Sequence, residues 1–217
     1  MLTVLLTRHG HTDRSEPEQY LGQRAKAVLT DRGQRDAQAL AARLASVPID
    51  RIVSSPLGRA VETAGILARG RSLTVEVDDR LLELDYGAWE GLTLEQIEER
   101  FPGEYAAYDR DPARHNVGGG ESGQQVADRL EPLVAELVAW GAGGPDDRTC
   151  VVIGHSSVNR ILLALVMGVA LLDYRRRFEQ DWANLTVLRW PDAESGPLLL
   201  LANDLAHVRG ISGVTWG

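Results

Sequence analysis

Short apolar segments alternate with longer segments of helical periodicity along most of this chain, and the alternation limits the folds it can adopt. Apolar runs at residues 2–7, 49–53, 73–77 and 150–153 predict buried strands. Apolar residues recur at helical spacing in segments such as 29–44, 56–67, 122–140 and 158–167, and a short helix is expected at residues 104–110. Thr30 is the expected N-cap of the first of these helices. We therefore predict an α/β fold, a three-layer α/β/α sandwich with a mostly parallel central sheet. Runs at 185–190 and 198–202 predict an antiparallel addition near the C-terminus.

The overall composition favours a cytoplasmic protein with one hydrophobic core. A length of 217 residues is typical of a single α/β domain, which we assign to residues 1–217. The formal net charge of −8 argues against a nucleic-acid partner. No apolar run approaches the roughly 20 residues of a membrane helix, so we expect no membrane association. The single cysteine, Cys150, cannot form an internal disulfide. A homodimer is left open.

Polar residues follow three of the predicted strands directly. Arg8, His9 and Gly10 follow the first strand, Ser54 and Ser55 the second, and Gly154 and His155 the strand at 150–153. The carboxyl ends of parallel strands share one edge of a sheet, where ligands of open α/β sheets bind. We therefore expect these three segments to meet at one site.

These residue types suit phosphoryl transfer, which needs a positioned nucleophile, cations for the phosphate oxygens and an acid for the leaving group. His9 can attack phosphorus if its other ring nitrogen donates to a backbone carbonyl and so sets the tautomer. Arg8 and Arg59 carry planar, permanently charged guanidinium groups that match phosphate oxygens. His155, if protonated, would add a third cation.

Taken in order, six segments resemble the histidine phosphatase superfamily, whose branches include cofactor-dependent phosphoglycerate mutases and many phosphatases of small metabolites. Arg-His-Gly alone is a weak signal, but the ordered combination is specific and spans roughly residues 2–190. The matching segments are LLTRHGHT (5–12), LTDRGQ (29–34), SSPLGRA (54–60), LELDYGAWEG (82–91), GES (120–122) and VIGHS (152–156).

The resemblance implies a role for each matching residue. His9 would form a phosphohistidine, and Arg8, Arg59 and His155 would bind the phosphoryl group. Glu83 would protonate the leaving oxygen and then activate water, although Asp85 and Glu90 are neighbouring carboxylates that could take this role. The catalytic set is therefore His9, Glu83, Arg8, Arg59 and His155.

The chain departs from the family pattern in two places. Residues 13–16 lack the Trp-Asn pair that many members carry, so Arg14 or Ser15 is a candidate for the missing phosphate contact, and Gln23 is a further candidate for the pocket. Ser156 and Ser157 replace a common Gly-Gly pair, and Ser156 can donate to phosphate from a helix N-terminus. The predicted substrate-binding residues are Arg8, Arg59, His155, Gln23 and Ser156.

We interpret the chain as a metal-independent phosphomonoesterase for a small phosphorylated metabolite, with no cofactor. The five histidines lack metal-ligand spacing. The mutase is an alternative, but residues 91–118 are short and contain no lysine to hold a phosphoglycerate. A non-catalytic phospholigand-binding module is a second alternative.

A serine hydrolase is a further, weaker alternative. The stretch from Gly154 to Val158 nearly matches a nucleophile elbow, and Asp204 and His207 follow it in suitable order. Val158 occupies the position at which the elbow needs glycine. This alternative also leaves Arg8 and His9 without a role.

Overall fold

Six strands pair side by side into one sheet within residues 1–210, which are the residues that the computed structural model describes. The order across the sheet is β3-β2-β4-β1-β5-β6. The strands are β1 (Leu2–Arg8), β2 (Arg51–Ser54), β3 (Val75–Val77), β4 (Arg148–Gly154), β5 (Leu185–Trp190) and β6 (Leu198–Asp204).

Seven α-helices accompany the strands in this range. They are α1 (Asp31–Arg43), α2 (Gly58–Ala68), α3 (Leu94–Arg100), α4 (Pro102–Arg110), α5 (Gly123–Ala142), α6 (Ser156–Met167) and α7 (Tyr174–Arg177). Single 3₁₀ turns lie at Asp79–Leu81, Gly87–Trp89 and Leu171–Asp173.

The register of the sheet determines where the polar segments lie. Strands β1, β2, β3 and β4 are mutually parallel, and Arg8 at the end of β1 is paired with Gly154 at the end of β4. Strand β5 runs antiparallel to β1, and β6 runs antiparallel to β5. The predicted mostly parallel sheet with an antiparallel addition is confirmed, and the addition comprises two strands.

Helices cover both faces of the sheet, as the strand sequences require. Side chains alternate between faces along a strand, so Val4 and Leu6 belong to one buried cluster, with α5 and α6, and Leu5 belongs to the other, with α1 and α2. Strand β4 alternates in the same way, with Val152 on the first face and Ile153 on the second. This arrangement confirms the three layers.

The ends of the elements differ from the prediction where local chemistry, not periodicity, sets them. Helix α6 begins at Ser156, two residues before its apolar pattern, because His155, which directly follows β4, is extended and forms the N-cap of the helix. Helix α4 begins at Pro102, since proline is well suited to a first helical position that needs no N–H donor. Helix α7 was not predicted, because its four residues are too few to show a period.

None of the helices in the described range is both long and apolar enough to cross a membrane.

The loop after β1 packs directly on the start of α1, backbone against backbone. A Cβ added at Gly33, in the first turn of α1, would lie 2.1 Å from the carbonyl oxygen of His11. A Cβ at Gly10 would lie 2.6 Å from the carbonyl oxygen of Gly33. Thr30 caps this helix by accepting from the Gly33 N–H, as its sequence position predicts. Glycine at both positions therefore permits the close approach that holds the His9 loop.

We expect Gly33→Ala to destabilise the fold by about 1–3 kcal/mol, because the new methyl group must push the His11 backbone away. Gly65→Ala is the matched control, since Gly65 also lies in a helix but has open space around its Cβ position. There alanine should raise stability by about 0.5–1 kcal/mol through helix propensity. Urea unfolding of both variants is the measurement. Equal effects of the two substitutions would contradict the close-packing argument.

Candidate active site

Three segments that are distant in sequence bring their polar side chains together at the carboxyl edge of the sheet. Arg8 ends β1 and His9 follows it, Arg59 lies in the first turn of α2, and His155 directly follows β4. The ring centroids of His9 and His155 are 5.1 Å apart. The convergence expected from the parallel strands is present in the structure.

His9 has the tautomer that a nucleophile needs. Its ring is 3% exposed, and its Nδ1 lies 2.8 Å from the carbonyl oxygen of Gly10. A carbonyl oxygen can only accept, so Nδ1 carries the proton and Nε2 presents a lone pair. Burial holds the pKa of His9 well below its usual value, and the positive charges of Arg59 and Arg8 lower it further. The ring is therefore neutral at physiological pH.

His155 is also neutral in this site. Arg59 Nε donates to His155 Nδ1 at 3.2 Å, so His155 Nε2 carries the proton and donates to Ser55 Oγ at 2.8 Å. Burial lowers the pKa of His155 well below its usual value, and the Arg59 charge adds to this effect. His155 is thus a neutral hydrogen-bonding group and not a third cation.

Arg59 is buried and is held from two sides. Its Nη2 donates to the carbonyl oxygen of Gly22 at 2.8 Å, in addition to the contact with His155. Burial lowers its pKa to about 10, while the negative charge of Glu83 opposes that effect. The guanidinium therefore remains charged at neutral pH, next to the neutral ring of His9.

Arg8 is half-buried at the floor of the same cavity. Its Nη1 donates to the carbonyl oxygen of Gln180 at 3.0 Å and its Nη2 to Glu18 Oε1 at 2.8 Å. Its guanidinium carbon lies 4.8 Å from the ring centroid of Trp182. Glu18 is an exposed carboxylate, so its contact with Arg8 is readily exchanged for another anion.

Glu83 is buried at the N-terminus of α6. Its Oε1 accepts from the N–H groups of Leu84 at 2.8 Å and Val158 at 3.0 Å, and its Oε2 accepts from the N–H of Ser157 at 3.1 Å. These three backbone donors fix the position of the Glu83 carboxyl group at the start of α6. Oε2 makes a single hydrogen bond and therefore has room to carry a proton.

The two carboxylates nearest to Glu83 in sequence are engaged elsewhere. Asp85 pairs with Arg24 and accepts from the Gly87 N–H. Glu90 accepts from the backbone N–H groups of residues 23–25. Both contacts organise loops, and Glu83 is the carboxylate of the three that lines the cavity.

The segment that carries Glu83 is held by side chains from other parts of the chain. Arg129 donates to the carbonyl oxygen of Leu82 at 2.8 Å, and Glu121 accepts from the Asp85 N–H at 3.0 Å. Gln23 joins this network, because its amide donates to the carbonyl oxygen of Glu83 and to the Glu121 carboxylate. The structure thus places the Gln23 side chain behind Glu83, outside the cavity lining.

Among the remaining candidates, Ser156 lines the cavity at the start of α6. Ser15 Oγ instead accepts from the Thr12 N–H at 3.0 Å and stabilises a turn. Arg14 is exposed, and it does not contribute to the cavity wall. The structure brings neither Arg14 nor Ser15 into contact with His9.

The cavity has a volume of about 310 Å³ and extends well beyond His9, and His155 lies behind His9, outside the cavity lining. Its outer wall includes residues that the sequence did not single out, namely Tyr20, Tyr108, Arg160, Arg175 and Trp182. In the sequence, Trp182 is an aromatic residue shortly before a predicted strand, and Arg175 is the first of three consecutive arginines. Neither signal distinguishes a pocket residue from an ordinary surface residue.

The residues required for a serine hydrolase do not meet. His207 Nε2 donates to the carbonyl oxygen of Ala183 at 2.8 Å, and its Nδ1 accepts from Arg43. Arg43 also pairs with Asp204. Both ring nitrogens of His207 are therefore engaged with groups other than Ser156, and His207 cannot act as its base in this arrangement.

No group of three or more His, Cys, Asp or Glu side chains within residues 1–210 is arranged to hold a metal ion.

Comparison with known sequences identifies two similar phosphatases. The chain is 38% identical over 170 residues to the glucosyl-3-phosphoglycerate phosphatase of Mycolicibacterium vanbaalenii, a match that covers 76% of this chain and 74% of that relative. It is 30% identical over 210 residues to phosphoserine phosphatase 1 of Hydrogenobacter thermophilus, covering 96% and 95% of the two chains.

Comparison with solved structures and with family models agrees with these sequence matches. A mycobacterial glucosyl-3-phosphoglycerate phosphatase, solved with inorganic phosphate, superposes with a TM-score of 0.83 at 36% identity, covering 94% of this chain and 98% of that one. The model of the histidine phosphatase superfamily (branch 1) matches residues 4–204. The chain therefore belongs to the histidine phosphatase superfamily and is a histidine phosphatase.

Proposed function

We propose that this protein is a metal-independent phosphomonoesterase that transfers a phosphoryl group from a small phosphorylated metabolite to His9 and then to water. The observation that carries the proposal is the neutral His9 ring, whose Nδ1–H is held by Gly10 while two guanidinium groups lie beside it. A neutral nucleophile next to fixed positive charges suits attack on an anionic phosphate. The cytoplasmic location and the homodimer stay predictions.

The first step forms the phosphohistidine. His9 Nε2 attacks phosphorus while Arg8 and Arg59 neutralise the non-bridging oxygens, and the bond to the leaving oxygen breaks. His155 and Ser156 add neutral hydrogen-bond donors. Glu83, protonated on Oε2, gives its proton to the leaving oxygen, which departs as an alcohol.

The second step returns the enzyme to its starting state. The Glu83 carboxylate, which Ser157 and Val158 N–H groups stabilise, takes a proton from water. The water oxygen attacks phosphorus and the bond to His9 Nε2 breaks. Inorganic phosphate leaves, His9 is neutral again and Glu83 again carries the proton. In both steps the proton and the phosphoryl group move only between the substrate, His9, Glu83 and water.

Two of the similar proteins support the phosphatase over the mutase. They are named for phosphatase activity on small phosphorylated compounds, glucosyl-3-phosphoglycerate and phosphoserine. Helices α3 and α4 fill much of the segment from residue 91 to residue 118, which has no lysine. A bisphosphoglycerate primer requirement would instead favour the mutase, and binding without phosphate release would favour the binding module.

We expect His9→Ala to abolish phosphate release from 4-nitrophenyl phosphate in the presence of EDTA, with a loss of at least about a thousand-fold, because no other nucleophile replaces Nε2. His115→Ala is the matched control, since His115 is an exposed histidine outside the cavity. The control should keep wild-type activity. Activity that persists in His9→Ala, or that EDTA removes from the wild type, would refute the phosphohistidine route.

Glu83→Gln should affect substrates according to their leaving group. An alkyl phosphate needs a proton on its leaving oxygen, and losing the acid should lower kcat/KM by about 10²- to 10⁴-fold. A 4-nitrophenolate leaves without that proton, so its kcat/KM should fall much less. Asp85→Asn is the matched control, because Asp85 is a neighbouring carboxylate that binds Arg24. Equal losses with both substrates in Glu83→Gln would contradict the acid role.

A further inference from the structure

Two arginines of the cavity wall have no part in the phosphoryl chemistry described above. Arg160 lies on α6 four residues after Ser156, so both side chains are on the same face of that helix. Arg175 lies on the short helix α7. Both residues line the cavity that contains His9. The cavity wall therefore holds two guanidinium groups beyond the two assigned to the phosphoryl group, and the carboxylates of Glu18, Glu179 and Asp181 lie in the same wall.

Arg160 is incompletely paired. Its Nη2 donates to Glu179 Oε2 at 2.7 Å. Its Nε is shielded from solvent and has no hydrogen-bond partner within residues 1–210. An unpaired buried donor is costly, and a ligand that supplies an acceptor recovers that cost. The Nε and Nη2 edge of a guanidinium matches the two oxygens of a carboxylate.

Arg175 contacts an aromatic ring and an exposed carboxylate. Its guanidinium carbon lies 4.8 Å from the ring centroid of Tyr108, and its Nη1 donates to Asp109 Oδ1 at 3.2 Å. The side chain of Asp109 is 55% exposed, and that of Glu179, the partner of Arg160, is 72% exposed. Exposed ion pairs are worth about 0–1 kcal/mol, so an incoming anion can displace either carboxylate.

The size of the cavity leaves room for a leaving group that reaches these arginines. Its 310 Å³ corresponds to about ten water molecules at roughly 30 Å³ each. A phosphoryl group next to His9 fills a minor part of this space. The remainder is bounded by Tyr20, Tyr108, Arg160 and Arg175, which offer both apolar and cationic surface.

We infer that Arg160 and Arg175 form a second anion-binding subsite, which binds a carboxylate on the leaving group. The substrate is then a phosphate ester of a hydroxy acid. The inference rests on the proposed phosphomonoesterase function and names its substrate class. A carboxylate is the group that each of these arginines binds in the structure, Arg160 through Glu179 and Arg175 through Asp109. The substrate carboxylate takes the place of these exposed side chains.

The test compares pairs of substrates in which one member has a carboxylate and the other has a neutral group, hydroxymethyl or hydrogen, at the same position. 3-Phosphoglycerate is paired with glycerol 3-phosphate, and O-phosphoserine with O-phosphoethanolamine. We expect the wild type to have a kcat/KM ratio well above one for at least one of these pairs, in favour of the acid. In Arg160→Gln and in Arg175→Gln that ratio should fall about 10- to 100-fold, as expected for the loss of a charge-assisted hydrogen bond.

Arg176→Gln is the matched control. Arg176 is the neighbour of Arg175 on α7 and donates to the backbone of Asp109, but it is exposed and does not line the cavity. Its substitution should leave the ratio unchanged. Because the ratio compares two substrates on the same protein sample, it does not depend on the fraction of the variant that is folded.

The outcomes separate this inference from the proposed function. A wild type that releases phosphate from 4-nitrophenyl phosphate through His9, but does not prefer the acid in either pair, overturns the subsite and leaves the phosphatase in place. A preference that Arg160→Gln and Arg175→Gln both retain also overturns the subsite. An absence of His9-dependent release from every compound refutes the proposed function itself.

Discussion

Parallel pairing of β1 with β4 is the interaction on which the arrangement of the site depends. The register sets Arg8 against Gly154, so the residues that follow the two strands, His9 and His155, leave the sheet side by side. Alternation of side chains along both strands buries one set against each helical layer, and a slip of one residue would exchange the two sets. The hydrophobic core therefore fixes the distance between the two histidine rings.

Burial then makes the two histidines of the site neutral while its arginines stay charged. Taking a histidine out of water favours its neutral form, so His9 keeps a lone pair and His155 remains a hydrogen-bonding group. Arginine is so strongly basic that Arg59 stays charged in the same surroundings. The protein thus keeps a neutral histidine ring among fixed cations, and it holds the Glu83 carboxyl group at the N-terminus of α6.

Much of the fold and the centre of the site follow from local patterns. Strand β5 begins and ends where its apolar run does, and Thr30 caps α1 as its position predicts. The predictions were less accurate where no pattern exists. Helix α7 is too short for a period, and the Gln23 amide binds the backbone behind Glu83 because folding brings Glu121 beside it. No local signal reports such a contact between distant segments.

The sequence by itself determined the class of fold, the strand ends at which polar residues collect, and the residue types suited to phosphoryl transfer. These properties depend on apolar periodicity and on functional groups, both of which can be read from the chain. Only the tertiary structure decided that His155 is neutral, that Glu83 receives three backbone N–H groups, and that Arg160 and Arg175 share the cavity with His9. The reason is physical, because protonation and hydrogen bonding depend on which groups surround a side chain, and long-range packing alone sets those neighbours.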